Sequence, residues 1–392
     1  MSKQPITRRS ALKAAGTVGI LGLAGCSGDG SSTDTGDGTD TDTDGSGTTT
    51  SAGTGTGTGI GTGTGTGTDT DTVNAAFIYQ AEVGDVGWDR AHEDARQAVT
   101  EEFDWLETDF SEAVNTGDVQ TVIEQYINDG MDVIFGTTFG YMDPMHEMAP
   151  EYPDTVFEHC SGFKTRENMG RYYCRLYQAR YLCGVAAGML TESNQLGYVA
   201  AFPIPELVRQ INAFMLGARS VNADATMDVR WTNGWVSPSD VTQAVNDLTS
   251  NGADVINNHQ TTTAAVSTAN DNDAYGFTYT TSMADAAGEF YGSSALFNWE
   301  EFYRPTLQAV KDDEWESDAY WKGLEAGAVG VDDFGPNVGD DVVSEVESKQ
   351  QAIIDGDTTV WEGSKFEGES DSFLFGEMGS YVEGIEGSVP EQ

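Results

Sequence analysis

The chain has 392 residues, with 64 acidic against 19 basic side chains and a formal net charge of −45. Such an acid excess repels nucleic acid and anionic lipid head groups, so neither is an expected partner. Acids spread along the whole folded part, with little Lys, suit a surface solvated in high salt, where a Debye length of ~3 Å at 1 M screens self-repulsion.

The N-terminus reads as an export signal. Thr7-Arg8-Arg9-Ser10-Ala11-Leu12-Lys13 is a twin-arginine pattern, with Ala11 where Phe is usual. An apolar run, Thr17 to Ala24, ends in Leu23-Ala24-Gly25-Cys26, a lipobox-like site at which Cys26 is acylated. The run falls short of the ~20 apolar residues that cross a bilayer. Residues 1–26 are therefore a twin-arginine lipoprotein signal, and the protein is expected at the outer face of the cell membrane, lipid-anchored. From 27 to 73 the chain is almost all Gly, Ser, Thr and Asp and cannot offset the entropy of ordering, so it reads as a disordered tether.

The texture changes at Asn74, and 74–392 reads as the binding domain. Ala75 to Tyr79 is a short apolar strand, and the turn Gly84 to Gly87 leads into a helix over Trp88 to Thr100. Val119 to Asn128 is a second helix, Met131 to Phe135 a strand, Thr155 to His159 another, and Leu176 to Leu190 an apolar helix. Leu196 to Ala200 restarts the pattern, followed by a helix over Glu206 to Val221, a strand over Thr226 to Thr232, and a helix from Asp240 capped by Ser239. Short apolar strands alternating with helices imply α/β architecture with parallel sheets covered on both faces. The halves echo each other: Asp132-Val133-Ile134 follows Gly130 as Asp254-Val255-Ile256 follows Gly252. Two lobes result, the first about 75–195 plus 285–325, the second about 196–284 plus 326–380, with a ligand cleft between them.

Of the Cys residues after Cys26, Cys160 and Cys174 lie near strand ends where pairing is open, and Cys183 sits in an apolar helix. No Cys or His spacing suggests a metal, no cofactor motif is present outside the Gly-Thr repeats, and no catalytic set assembles.

Trp88, after a Gly-rich strand-to-helix turn, is the first candidate for stacking a planar ring; Asp85 and Asp89 flank it. Asp85 reads as a helix cap, whereas Asp89 is a candidate acceptor for a ring N–H. His92 shares a helix face with Trp88 at i+4. Thr138 and Phe139 follow another strand, and His259 and Gln260 end one in the second half. Phe202, in Phe202-Pro203-Ile204-Pro205, is an opposing wall or a core residue.

Several segments together resemble the basic membrane protein family of ABC-transporter substrate-binding proteins. They are Gly84-Asp85-Val86-Gly87-Trp88 with His92, Arg180-Tyr181-Leu182 with Gly184, Gly197 to Pro205 with Asn212-Ala213-Phe214, Trp231-Thr232-Asn233 with Trp235, Asn298-Trp299, and Trp321 to Leu324. The resemblance implies a type I periplasmic-binding-protein fold, two doubly wound parallel-sheet lobes joined by a hinge. It implies a monomer that closes on a purine nucleoside or nucleobase and delivers it to a permease and its ATPase, without catalysis. Trp88 then supplies one stacking face, and Phe202 or Trp235 the other. Family members that hold a ribose carry an Asp in the loop that here reads Tyr279-Thr280-Thr281-Ser282-Met283. This loop offers the Ser282 hydroxyl and no carboxylate, so a free base becomes as good a candidate as a nucleoside. A ligand-sensing lipoprotein of the same fold is the alternative, an extracellular hydrolase a more distant one.

Overall fold

The computed structural model describes residues 72–391, which fall within one compact unit. The signal segment, Cys26 and the tether up to residue 71 lie outside the described residues.

The first sheet is built from β1 (Val73–Ile78), β2 (Leu106–Ser111), β3 (Val133–Gly136), β4 (Val156–Cys160) and β5 (Met169–Cys174). Helices α1 (Trp88–Glu102), α2 (Val119–Asn128) and α3 (Met142–Met148) connect its early strands. The chain then enters the second lobe with α4 (Leu176–Leu190), β6 (Gln195–Ala200), α5 (Pro205–Val221), β7 (Thr226–Trp231) and α6 (Pro238–Ser250). This lobe continues with β8 (Val255–His259), α7 (Ala264–Asp271), β9 (Tyr275–Thr280), α8 (Ala284–Ala287) and β10 (Tyr291–Phe297). The chain returns to the first lobe for α9 (Glu300–Lys311) and β11 (Ala319–Lys322). It ends on the second with β12 (Val329–Val331), α10 (Asp340–Ile354) and α11 (Asp371–Gly376).

The sheet orders are β11-β5-β4-β3-β1-β2 and β12-β10-β9-β8-β6-β7. The first five strands of each lobe thus have the same order, and every pairing is parallel except β10 with β12. The echo seen in the sequence is this repeat. Gly130 and Gly252 both take positive φ, 86° and 104°, where the chain reverses from α2 into β3 and from α6 into β8. Strands such as β1 are buried on both faces, as their unbroken apolar runs require.

Three boundaries differ from the sequence reading. The chain leaves the first lobe after β5, so α4 packs in the second lobe rather than the first. The reason is close backbone approach: a Cβ at Gly184 would lie 2.0 Å from the Phe214 carbonyl oxygen of α5, and one at Gly217 2.0 Å from that of Tyr181. β10 also joins the second sheet, so the return crossing falls after Phe297, not near 285. Helix α6 starts two residues earlier than expected, with Ser237 at the N-cap and Pro238 at the first helical position, where a missing N–H costs nothing. Asp85 caps nothing; α1 begins after Gly87 without a side-chain cap, and Asp85 is exposed. Cys160, Cys174 and Cys183 are buried free thiols.

Candidate ligand-binding cleft

The carboxyl ends of the strands in both sheets meet across the lobe interface. The Gly87 amide, in the turn after β1, donates to the Thr281 hydroxyl, after β9, at 2.9 Å. Tyr173 of β5 donates to Glu206 of α5 at 2.7 Å. Burial pushes the Glu206 carboxyl above its ordinary range, and the Tyr173 hydroxyl offsets this in part. In both sheets the point of strand-order reversal, β3-β1 and β8-β6, opens onto this interface, where ligands of open α/β sheets sit.

On the first lobe, Trp88 is half-buried and pinned by its indole N–H, which donates to the Thr137 carbonyl at 2.8 Å. Its ring meets Phe297 and Trp299 edge-on at 5.5 and 5.6 Å, and lies 6.4 Å from Tyr173 in a near-parallel offset. Asp89 is buried beside it and accepts from the Gln80 amide at 3.3 Å. Burial raises its carboxyl to about 6, against backbone hydrogen bonds from Gln80 and Ala81 that pull the other way. Thr138 donates its hydroxyl to Gln80 Oε1 at 2.9 Å, and its carbonyl accepts from His159 Nε2 at the same distance. Phe139 is 54 % exposed and stands 6.3 Å from Phe163, itself exposed.

His92 does not reach the cleft, contrary to the sequence reading. It is fully buried, stacked on Trp299 at 4.5 Å, and its Nδ1 hydrogen-bonds with the Tyr303 hydroxyl at 2.6 Å. Desolvation holds its imidazole neutral. The i+4 spacing does put it beside Trp88, but that helix face turns toward α9.

On the second lobe, Phe202 and Trp235 make an edge-on pair at 5.4 Å, and Trp235 is 41 % exposed. His259 is buried and stacked on Tyr279 at 3.9 Å. Its Nδ1 lies 3.3 Å from Arg180 Nη2. Burial first, then the Arg180 charge, keeps this imidazole neutral. Arg180 itself is fully buried in α4 and donates to Asn257 Oδ1 and to the carbonyls of Thr278 and Asn258. It therefore fixes the ends of β8 and β9. Gln260 donates to the Thr232 hydroxyl at 2.5 Å, while its buried Oε1 has no hydrogen-bond partner. Ser282 is exposed at the end of the β9 loop, close to Thr280, a β-branched residue held at φ 74°. Such a conformation costs of order 1–3 kcal/mol and marks loops that the surrounding fold over-determines.

Trp88, Asp89, Thr138 and Phe139 thus cluster at the ends of neighbouring strands β1 and β3, and Phe202, Trp235, Gln260 and Ser282 at the ends of β6 to β9. Sequence reasoning missed Gln80, His159, Phe163, Arg180 and Thr281. An arginine inside the apolar run Leu176 to Leu190 was the one available sign, because a buried guanidinium must be satisfied by groups worth positioning. Two cavities away from the interface are one of about 310 Å³ beside α5 and one of about 260 Å³ beside α9. Among the described residues no cluster of His, Cys, Asp or Glu could hold a metal, and no helix is long and apolar enough to cross a membrane.

Known proteins share both the sequence and this fold. Residues 72–362 match the Bmp family, described as ABC transporter substrate-binding protein PnrA-like. A Haloferax volcanii protein named putative ABC transporter glucose-binding protein is 53 % identical over 81 % of this chain and 81 % of its own. A Brucella abortus purine-binding protein is 35 % identical over 81 % of this chain and 94 % of its own. Among solved structures, an ABC transporter solute-binding protein from Conexibacter woesei superposes with a TM-score of 0.63 at 17 % identity, covering 74 % of this chain and 98 % of its own.

Proposed function

We propose that this protein, which belongs to the PnrA-like Bmp family of ABC transporter substrate-binding proteins, captures a purine base or nucleoside between its lobes and hands it to a membrane permease. The family is one of binding proteins rather than enzymes, and its members work outside the cytoplasm. The observation that carries the ligand reading is the placement of half-buried or exposed aromatic rings at strand ends of both lobes: Trp88 and Phe139 on one side, Phe202 and Trp235 on the other. A planar heterocycle gains ~1–3 kcal/mol from such a stack. Around the ring, the Asp89 carboxylate accepts an N–H, the unpartnered Oε1 of Gln260 accepts a second, and Thr138 and Ser282 offer hydroxyls. The name of the Brucella relative supports the same class.

A hexose is the second reading, favoured by the name of the Haloferax relative. Aromatic rings also cover the apolar faces of sugars, so the two readings are separated by the ligand that binds. Lipid attachment at Cys26 completes the proposed arrangement: membrane partitioning that persists in a Cys26→Ala chain would remove it.

Calorimetry with hypoxanthine, adenine, their nucleosides and glucose, in the molar salt that the acidic surface calls for, tests the ligand. Purines should bind, the free base nearly as well as the nucleoside; binding of glucose alone would overturn the reading. The pH dependence adds a sign. Below pH about 6 Asp89 is protonated and loses its charge-assisted acceptor, so purine binding should weaken from pH 7.5 to 5. The same raised carboxyl contributes to folding in the opposite sense: its contribution is full below the unfolded value of roughly 4 and is lost as pH rises through about 6. Affinity and stability should therefore move in opposite directions over that window.

A further inference from the structure

The C-terminal stretch after residue 362, outside the matched family region, ties the two lobes together beside their crossings. The Phe375 ring of this stretch sits on the first lobe: 5.4 Å from Trp321 of β11, 6.2 Å from Tyr173 of β5, and under the Arg171 guanidinium at 4.5 Å. Asp371 pairs with Arg175, the residue at the first crossing, at 2.8 Å. The same stretch is anchored on the second lobe. Arg209 of α5, fully buried, donates to the carbonyls of Leu374 and Phe375 at 2.6 and 2.7 Å. Asn212 accepts from the Val382 amide and donates to the Ser380 carbonyl, both at 3.0 Å. Further on, Met227 of β7 exchanges backbone hydrogen bonds with Gly384 and Glu386.

We infer that this segment is a hinge strap that sets the closing equilibrium, so that affinity-determining residues lie outside the cleft; this rests on the binding-protein reading of the cleft. The strap's attachments are shared between the lobes. Phe375 has its ring packed on the first lobe while its carbonyl is held by Arg209 of the second, and the Arg209 guanidinium in turn lies 5.6 Å over Trp321 of the first. Rotation of one lobe against the other must strain or break one of these contacts. They all exist together in the arrangement where Gly87 donates to Thr281, so they favour that closed arrangement. Apparent affinity scales with the fraction of molecules in the competent state, so a strap that holds the lobes closed raises affinity without touching ligand.

Two variants and a control test this in the full chain. Phe375→Ala removes the ring from the first lobe and leaves the backbone anchors. Asp371→Asn breaks the exposed pair with Arg175 and puts no burden on the core. Glu383→Gln breaks a pair with Arg219 that lies wholly on the second-lobe side. Hydrogen exchange of the Gly87 amide in ligand-free protein reports opening directly, because that amide is bonded across the interface only when the lobes are together. Phe375→Ala should raise the open-to-closed ratio about tenfold, which speeds Gly87 exchange by up to that factor and weakens hypoxanthine binding by the factor by which the closed fraction falls; Asp371→Asn should raise the ratio about twofold, and Glu383→Gln should leave it unchanged. Unchanged Gly87 exchange in a folded Phe375→Ala protein would overturn the strap. So would unchanged exchange in Asp371→Asn, should Phe375→Ala not fold. Wild-type protein that binds no purine sinks the ligand reading instead, and leaves the exchange result to decide the strap.

Discussion

Replacing Gly87 by Ala should weaken ligand binding by roughly five- to hundredfold, because the added methyl group lands on the opposite lobe. Gly87 has φ 101°, a region that side-chain-bearing residues rarely adopt. A Cβ there would lie 2.1 Å from Thr261 Cγ2 on the opposite lobe, well inside contact distance. Overpacking of this kind costs ~1–3 kcal/mol, and the backbone conformation adds to it. The steric part falls only on the closed arrangement, because Thr261 belongs to the other lobe. The variant should therefore lose stability to the backbone strain, which is present open or closed, and in addition fail to close. Thr261→Ala removes the clashing methyl and should recover most of the lost affinity in the double variant, leaving the backbone cost in its unfolding midpoint. Binding calorimetry and thermal unfolding on the four proteins of the cycle separate the two costs. A Gly87→Ala protein that binds as wild type would mean that the lobes come together in another register and that the cleft geometry above is wrong.

The repeat of strand and helix was legible because buried parallel strands leave unbroken apolar runs and the helices between them keep 3.6-residue spacing. The limits of α2 and α4 could be read to the residue for this reason. The lobe crossings were not legible. Whether α4 packs on the strand before it or the strand after it depends on Gly184 and Gly188 meeting α5, a contact across chain positions that no local pattern carries. The strand-end positions of the aromatics were readable, and the surroundings of the other candidate side chains were not. His92 and His259 look alike in sequence as lone histidines, and both are neutral buried rings stacked on aromatics. Only the fold shows that His92 faces α9 while His259 anchors a strand end through Arg180. The strap left no sign at all, since its second half is held by backbone carbonyls and amides, which every residue has.

The two tryptophans that flank the cleft should respond differently to removal, and that difference identifies the stacking surface. Trp235 is 41 % exposed and its ring packs only loosely, against Phe202 and His259. Trp235→Ala should cost ~1–3 kcal/mol of purine binding, roughly five- to hundredfold, with little change in unfolding midpoint. Trp88 is fixed by the Thr137 carbonyl and surrounded by Phe297, Trp299, His92 and Tyr173. Trp88→Ala should cost a similar amount of binding and, in addition, several kcal/mol of stability, about 3–5 for a large aromatic lost from a packed site. Trp88→Phe keeps part of the packing but loses the indole N–H, so it should recover most of the stability and leave the Thr137 carbonyl without its donor. Binding and thermal unfolding measured on the same preparations sort the outcomes. If Trp235→Ala binds a purine as tightly as wild type, the second lobe's stacking face is not Trp235. If Trp88→Ala loses stability alone, Trp88 belongs to the hinge-side aromatic cluster, and the ligand's other face must rest on Phe139, the remaining exposed ring at the end of β3.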